Sequence, residues 1–246
     1  MKPFLLASTA TALFLAGQAQ AEPRYSWTGC YVGGHVGAGW GKTDISEPVA
    51  PANGLIGLHT NTRVLGGAQL GCDQQFVTNW LIGATADFSW ANIDGQAVDP
   101  FFTGKGGRPI LLNSKTDWQA TATARVGYVW DRWMFYGKAG GVWAHDKVQI
   151  QNLVSWNGFF CFSGGFVPCN PAGNKTITGW TLGFGLEWML ANNWSAALEF
   201  DHYDFGTHQV NLSDPNGVGS RPINLKQQTD AVKLSLSYRF GWTGRP

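Results

Sequence analysis

The chain has 246 residues, of which only 13% are charged, whereas about 25% is usual in soluble domains. Glycine accounts for 33 residues, tryptophan for 13, and aromatic residues make up 14%. The 17 basic and 16 acidic residues nearly balance and form no dense basic run, which argues against a nucleic-acid partner. Beyond the N-terminal segment there is no run of about 18 apolar residues, so membrane-spanning helices are excluded and membrane-spanning strands are not.

Residues 1–21 have the pattern of a secretory signal peptide. Lys2 gives a positive start, an uncharged apolar stretch follows, and Ala19 and Ala21 form the small-x-small pattern that signal peptidase needs. The stretch is too short to cross about 30 Å of hydrocarbon as a helix. We therefore predict cleavage after Ala21 and an exported mature domain of residues 22–246.

The four cysteines of an exported chain can form disulfides. Cys161 and Cys169 lie eight residues apart in a segment rich in Gly, Pro and Asn, which predicts a local loop disulfide. Cys30 and Cys72 fall in neighbouring predicted strands, and a bonded pair and two small apolar side chains are equally consistent with the sequence. Neither pair has the spacing of zinc ligands, and we expect no metal site and no cofactor.

Eight segments alternate apolar and polar residues with a period of two, which is typical of strands with one apolar face. The clearest is the sixth, in which tryptophan, leucine and phenylalanine alternate with glycine, threonine and glutamate. In chain order the segments are 30–40, 63–73, 80–90, 117–128, 133–143, 176–188, 194–203 and 232–240.

The connections between these segments alternate between long and short. The long ones are 41–62, 91–116, 145–175 and 204–228, and the short ones are 73–79, 130–132 and 191–193. In an up-and-down barrel, all long connections then share one end and all short turns the other. Transmembrane barrels have this asymmetry, with short periplasmic turns, long extracellular loops, an even strand count and spanning strands of about 9 to 11 residues.

The apolar face is aromatic near the strand ends, where the interfacial girdles of membrane barrels lie. A soluble lipid-binding barrel would instead turn its bulky apolar face inward. The glycine-rich polar face suits a narrow lumen, since eight strands leave room only for side chains. We therefore predict an all-β, eight-stranded antiparallel up-and-down transmembrane β-barrel. The girdle residues are Trp80, Trp90, Trp118, Tyr128, Trp133, Trp143, Trp180, Trp188, Trp194 and Tyr238.

Charged residues on the polar face are expected inside the barrel. Counted from the nearest short turn or the chain end, four of them lie at similar heights and Asp87 lies slightly higher, so these charges are expected to share one level. Buried charges are costly unless they are paired. One hypothesis is a salt-bridge network that plugs the barrel or gates a narrow pathway; the other is purely structural filling of the lumen. The charges are Asp87, Arg125, Lys138, Glu187, Glu199, Asp201, Lys233 and Arg239, and the four at similar heights are Arg125, Lys138, Glu199 and Lys233.

An enzymatic role is a separate hypothesis, because some eight-stranded outer-membrane barrels modify lipopolysaccharide. A hydrolase would need a histidine near a serine or an aspartate on one face at the membrane boundary. His202 near Asp204 is the loose candidate, and no serine stands two residues away on that face. We expect no catalytic residues and class the protein as not an enzyme.

Several motifs extend over nearly the whole mature chain. They are 27–34 (WTGCYVGG), 66–71 (GGAQLG), 125–128 (RVGY), 131–133 (DRW), 179–188 (GWTLGFGLEW), 193–195 (NWS) and 204–206 (DFG). In these motifs the chain resembles the small outer-membrane barrels of alphaproteobacteria, the immunogenic surface antigen or opacity-like porin family, which is similar in architecture to the barrel of outer-membrane protein A.

The resemblance implies a location in the outer membrane of a Gram-negative cell, among its lipids and lipopolysaccharide, and folding by the barrel assembly machinery. It implies a structural or surface-antigen role, with a narrow porin-like pathway for small solutes as an option. An outer-membrane lipid-modifying enzyme and a soluble lipid-binding barrel are the alternatives. One departure concerns the C-terminus: such chains commonly end in an aromatic residue, whereas here Phe240 is followed by residues 241–246. The loops match no ligand motif, so their partner is unassigned.

Overall fold

The computed structural model describes residues 26–46, 56–76, 79–103, 109–151, 153–154, 168–191, 193–213 and 220–241. The predicted signal peptide, its cleavage site at Ala21 and the side chains of Cys161 and Cys169 lie outside this description. Within the described ranges, no helix is long and apolar enough to cross a membrane.

Eight antiparallel strands close a barrel in the order β1, β10, β9, β8, β5, β4, β3, β2. This confirms the predicted eight-stranded barrel. A small sheet of β6 and β7 lies in the connection between β5 and β8. The strands are β1 (Gly29–Ser46), β2 (Ile56–Gln75), β3 (Trp80–Thr103), β4 (Pro109–Trp130), β5 (Trp133–Gln151), β6 (Leu153–Val154), β7 (Pro168–Cys169), β8 (Ala172–Ala191), β9 (Trp194–Ser213) and β10 (Ser220–Gly241).

The barrel strands are longer than the sequence predicted, with 18 residues in β1 and 24 in β3. Much of the predicted long connections is strand: the β1–β10 ladder, for example, continues to Ser46 opposite Asn224. The prediction was wrong because it ended each strand where strong aromatic alternation ended. Backbone pairing does not need that alternation and continues wherever both neighbours stay extended. The barrel therefore projects well beyond the apolar belt at the long-loop end.

The short turns all lie at the opposite end. Asp131, in the turn between β4 and β5, has a φ of 55°, and Asn79, immediately before β3, has a φ of 62°. Aspartate and asparagine tolerate this left-handed backbone better than other residues that carry a Cβ. Because the strands extend into the predicted long connections, these keep 9, 5, 20 and 6 residues, while the short turns have 4, 2 and 2 residues. The predicted asymmetry is therefore present but smaller than expected, and the short-turn end is the periplasmic one.

The outer surface between the two ends is apolar and is bounded by aromatic residues. Two rings of outward-pointing tryptophans mark the edges of this belt, which we take as the membrane-spanning segment. Trp133 stacks on Trp188 near the short turns, and Trp118 stacks on His145 near the other end. The lower ring includes Trp80, Trp133, Trp188 and Trp194, and the upper ring includes Trp40, Trp90, Trp118, Trp143 and Trp180.

The interior is filled in levels along the barrel axis. Three apolar clusters are separated or bounded by polar side chains, which occupy most of the lumen in the membrane-spanning segment. The short-turn cluster contains Trp27, Leu81, Val129, Met134, Tyr136 and Met189. The middle cluster contains Leu65, Val142, Ala144, Ile177, Tyr203, Phe205 and Ala231. The outer cluster contains Ile45, Leu112, Val148, Ile150, Val210, Leu212, Ile223 and Leu225.

Candidate functional site: the charged lumen

Glycines on the inward face make room for large polar side chains. A Cβ at Gly71 would lie 2.5 Å from the Tyr31 hydroxyl oxygen. A Cβ at Gly183 would overlap Asp201 Oδ1 and lie 2.9 Å from Lys138 Cε. The glycine-rich strands predicted from the sequence are therefore the walls against which the lumen charges pack.

The charges nearest the periplasmic end form an arginine layer, which we define as Asp73, Arg125, Glu187 and Arg239. Arg125 donates two hydrogen bonds to Asp73, with a distance of 2.7 Å from Nε to Oδ1, and a third to Glu187 at 3.3 Å. Arg239 donates to Asp73 at 2.9 Å and to Glu187 at 2.7 Å. Each guanidinium thus binds both carboxylates, and the formal charges of the layer cancel.

Aromatic side chains enclose the two guanidinium groups. Arg125 lies 4.7 Å from the ring centre of Tyr31 and 5.1 Å from that of Tyr136. Arg239 lies 4.6 Å from the Trp27 ring and donates to the Trp27 carbonyl oxygen. Such cation–π contacts are strongest where water is excluded. The arginine layer is thereby sealed towards the periplasm by the short-turn cluster.

One level further along the axis is a lysine layer, which we define as Asp87, Lys138, Glu199, Asp201 and Lys233. Lys138 Nζ lies 2.6 Å from Glu199 Oε1 and 3.0 Å from Asp201 Oδ1. Lys233 Nζ lies 2.6 Å from Asp201 Oδ2 and 3.0 Å from Glu199 Oε1. Asp87 is more distant, at 3.5 Å from Lys233 and 3.9 Å from Lys138. Two cations therefore face three carboxylates in this layer.

Hydroxyl groups complete the lysine layer. Tyr136 donates to Glu199 Oε2 at 2.8 Å, Tyr203 donates to Asp201 Oδ2 at 2.9 Å, and Thr121 donates to Asp87. These neutral donors reduce the charge that each carboxylate exposes to its neighbours.

The structure places all eight predicted lumen charges inside the barrel and in ion pairs. The expected shared level of Arg125 and Lys138 is present in the backbone, because the two residues are direct cross-strand partners. Their long side chains diverge, one to Asp73 and the other to Glu199. Asp73 was missed in the sequence, although its alternation already put it on the polar face; its place at the strand end made it resemble a turn residue.

A small polar cavity of about 10 Å³ lies between the two layers. That volume corresponds to room for about one water molecule. Its lining includes Gln69, Thr85, Arg125, Lys138 and Glu199. The cavity thus connects the two layers, and it is too small to hold a solute larger than water.

The chain matches a known family over nearly its whole length. Residues 7–240 match the family model described as the outer membrane protein beta-barrel domain. The chain belongs to this family. This outer-membrane barrel is 28% identical over 260 residues to the 31 kDa outer-membrane immunogenic protein of Brucella melitensis, with 98% of this chain and 100% of the relative covered. It is 24% identical over 226 residues to the 22 kDa outer membrane protein of Rhizobium leguminosarum, with 92% and 83% covered.

A solved structure shows the same fold. The outer membrane protein OprG of Pseudomonas aeruginosa superposes with a TM-score of 0.50 and 12% identity, covering 87% of this chain and 96% of OprG. This likeness confirms the barrel fold. The family and its named members confirm the predicted outer-membrane location and the resemblance to alphaproteobacterial barrels.

The outer-membrane barrel carries a disulfide on its outer surface. Cys30 and Cys72 are direct partners across β1 and β2 near the periplasmic end, and they are bonded. Of the two alternatives that the sequence left open, the bonded pair is therefore the correct one.

One charged residue of β2 lies on the outer surface. Strict alternation along β2 would turn Arg63 inward, but the β2 register shifts between Thr60 and Leu65, and Arg63 is exposed. It binds Asp94 outside the barrel, at 2.7 Å and 2.9 Å. The irregularity exchanges the two faces of the strand, because side chains alternate with a strict period of two.

The candidate histidine lies on the outer surface. His202 Nδ1 is 2.7 Å from Asp230, a residue of β10, and Trp180 packs against the imidazole ring. Asp204, the partner expected from the sequence, accepts hydrogen bonds from the Gly206 backbone and from Gln228. Among the described residues, no group of three or more His, Cys, Asp or Glu side chains is arranged to hold a metal ion.

A further carboxylate lies in the lumen beyond the upper aromatic ring. Asp146 is three residues past Trp143 and is 1% exposed. It accepts a hydrogen bond from Thr116 at 2.6 Å, and no cation contacts it among the described residues. Because burial disfavours the charged form, the pKa of Asp146 is raised to about 6.

Proposed function

We propose that this outer-membrane β-barrel is a closed, structural protein that displays a surface antigen to the exterior. The observation that carries the proposal is the mutual saturation of the lumen charges, in which each guanidinium and each ammonium binds at least two carboxylates. Apolar clusters close the lumen on both sides of these layers. Ions that bind each other and are enclosed by apolar side chains give a passing solute no continuous polar path.

The surface role rests on the part of the barrel beyond the upper aromatic ring. The strands continue there as extensions, and the connections between them lie at the same end. Several relatives are named outer-membrane immunogenic proteins, which is the role expected of a protein exposed at the cell surface. Biogenesis by the barrel assembly machinery and contact with lipopolysaccharide belong to the same proposal.

Planar-bilayer recordings of the purified protein test the closed lumen. We expect no conductance steps above background. Reproducible steps from heat-modifiable, folded protein would contradict the closed barrel and leave the outer-membrane location untouched.

A narrow porin-like pathway is the second candidate, and the polar cavity between the two layers favours it. A pathway would need the ion pairs above and below this cavity to exchange partners. Lys138→Met combined with Glu199→Gln removes one cation and one carboxylate, so the net charge of the lysine layer is unchanged. A gated pathway predicts conductance in this variant, whereas a closed barrel predicts only a change in stability.

A lipid-modifying enzyme has less support. His35 Nε2 lies 2.8 Å from Ser89 Oγ, but both residues are buried inside the lumen, where a lipid headgroup cannot reach them. We expect lipopolysaccharide incubated with the protein to keep its mass. A changed mass of the lipopolysaccharide would show that the protein is a lipid-modifying enzyme. A soluble lipid-binding barrel is excluded by the family and by the apolar outer surface.

A further inference from the structure

Two exposed lysines face each other on the outer surface just beyond the upper aromatic ring. Lys115 of β4 and Lys147 of β5 are direct cross-strand partners, and about half of each side chain is exposed. Lys115 is three residues from Trp118, and Lys147 is four residues from Trp143. At a rise of about 3.3 Å per residue and a strand tilt of about 40°, they lie about 8 to 10 Å beyond the ring. The headgroup region is about 5 to 8 Å thick on each side, so the lysine backbones lie at its outer edge and their long stems can reach back into it.

The two lysines share one carboxylate. Lys147 Nζ lies 2.6 Å from Asp117 Oδ2, whereas Lys115 Nζ lies 3.9 Å from Asp117 Oδ1. The hydrogen bond from Lys147 keeps the pKa of Asp117 below its usual value, so this carboxylate is ionised. Asp94 is the partner of Lys115 across β3 and β4, but it is bound through both oxygens by Arg63. Lys115, Asp117 and Lys147 together therefore carry one net positive charge.

Like charges directly opposite each other destabilise a pair of strands. A second anion between the two ammonium groups would relieve this repulsion. Below the lysines, the rings of Trp118 and His145 stack with 6.1 Å between their centres and 8° between their planes. The surface thus combines a cationic rim at headgroup height with a flat aromatic surface at the edge of the hydrocarbon, which suits an anionic lipid.

The opposite side of the barrel also carries two lysines beyond the upper ring, but there carboxylates outnumber lysines. Lys42 of β1 and Lys226 of β10 also lie outside, beyond the upper ring. Asp44 is 3.4 Å from Lys42 and is the cross-strand partner of Lys226. Asp204 and Asp230 lie on the same outer surface. Carboxylates therefore outnumber lysines on that side.

We propose that Lys115 and Lys147 form a docking site for a phosphate group of lipopolysaccharide in the outer leaflet. The phosphate lies between the two ammonium groups and completes the charge compensation that Asp117 begins. The acyl chains of the same molecule pack along the aromatic and apolar surface below. The proposal rests on the outer-membrane location and is independent of whether the lumen conducts.

The test uses folded protein in detergent micelles and rough lipopolysaccharide, with the bound fraction measured by native mass spectrometry. A parallel arm uses the same lipopolysaccharide after removal of its phosphates. We expect the untreated glycolipid to bind about fivefold or more tightly than the dephosphorylated one, and Lys115→Gln with Lys147→Gln to abolish this difference. The matched control, Lys42→Gln with Lys226→Gln, removes the same charge and is expected to change binding by less than about twofold.

Asp117→Asn provides a test in the opposite direction. It raises the net charge of the three-residue group and is expected to tighten binding about two- to threefold, a gain that misfolding cannot produce. Heat-modifiability on a gel checks that each variant is folded. The proposal would be overturned if the two double variants lost binding equally, if neither lost binding, or if Asp117→Asn gave no gain. It would also be overturned if phosphatidylglycerol, added to the same micelles, displaced the phosphorylated lipopolysaccharide as well as unlabelled lipopolysaccharide does.

Discussion

The arginine and lysine layers lie next to each other in one lumen but balance their charges differently. In the arginine layer, two guanidinium groups meet two carboxylates, and each guanidinium binds both of them. In the lysine layer, two ammonium groups meet three carboxylates, and Asp87 has the longest contacts. The planar guanidinium of arginine can donate hydrogen bonds to two carboxylates at once, whereas the ammonium of lysine is a compact point charge. In the lysine layer, hydroxyl groups therefore donate additional hydrogen bonds to the carboxylates. The first layer has no spare member, while the second has one carboxylate in excess.

Asp146 extends the comparison to a third level. It is as deeply buried as the carboxylates of the two layers, but no cation contacts it in the described part of the chain. Carboxylates therefore equal the cations in the arginine layer, outnumber them in the lysine layer, and have no cation at Asp146. We expect mutation of a carboxylate to change the free energy of unfolding differently in each of these three places.

The largest effect is expected for Asp73→Asn. This change leaves two buried guanidinium groups with one carboxylate, and removal of one partner of a buried ion pair typically costs about 3 to 5 kcal/mol. The free energy of unfolding, measured in urea with the folded and unfolded forms resolved on a gel, checks this. An effect below about 1 kcal/mol would show that water reaches the arginine layer.

A somewhat smaller effect is expected for Gly183→Val. The added side chain would occupy the space of Asp201 Oδ1 and Lys138 Cε, and overpacking of this kind costs about 1 to 3 kcal/mol. Gly137→Val is the matched control, because a Cβ there would have its nearest neighbour at 3.9 Å. Equal destabilisation by the two substitutions would mean that loss of glycine, and not the crowded lysine layer, is responsible.

Asp146 predicts a dependence of stability on pH. Its pKa is raised to about 6 in the folded protein, above the ordinary value of 3.8, so the folded state binds the proton more tightly than the unfolded state. The stabilisation is complete below pH 3.8 and is lost as the pH rises through about 6. Two pKa units correspond to at most about 3 kcal/mol, and a smaller change is expected if water enters on ionisation.

Asp146→Asn checks this interpretation. The neutral amide should remove the component of the pH dependence between pH 4 and pH 6 and make the barrel more stable at pH 7, where the native carboxylate is ionised. A pH profile that is unchanged by Asp146→Asn would assign the dependence to another group.

The smallest effect is expected for Asp87→Asn. It removes the excess carboxylate of the lysine layer and leaves two cations with two anions, while the amide still accepts the hydrogen bond from Thr121. We expect a change of less than about 1 kcal/mol in the free energy of unfolding. If Asp87→Asn lowered the free energy of unfolding as much as Asp73→Asn, then the lysine layer would have no carboxylate in excess of its cations.

The alternation of residues predicted most of the site. Strict period-two patterns placed Lys138, Glu187 and Lys233 on the inward face, and all three are buried there. Asp73 was missed because it stands at a strand end, and Arg63 shows why strict alternation fails there, since an irregularity shifts the register of β2. Patterns thus predicted the faces well in the middle of a strand and less well at its ends, where one extra residue exchanges inside and outside.

The sequence by itself determined that the chain is an eight-stranded transmembrane barrel with short turns at one end and a charged, glycine-lined lumen, and its resemblance to alphaproteobacterial barrels implied the outer membrane. It could do so because a strand alternates its faces and lipid requires an apolar, aromatic outer surface. Only the tertiary structure decided that the charges separate into two layers, that Cys30 is bonded to Cys72, and that the strands extend beyond the membrane. These properties depend on register, on strand tilt and on the reach of long side chains across the lumen, and none of these follows from the alternation along one strand.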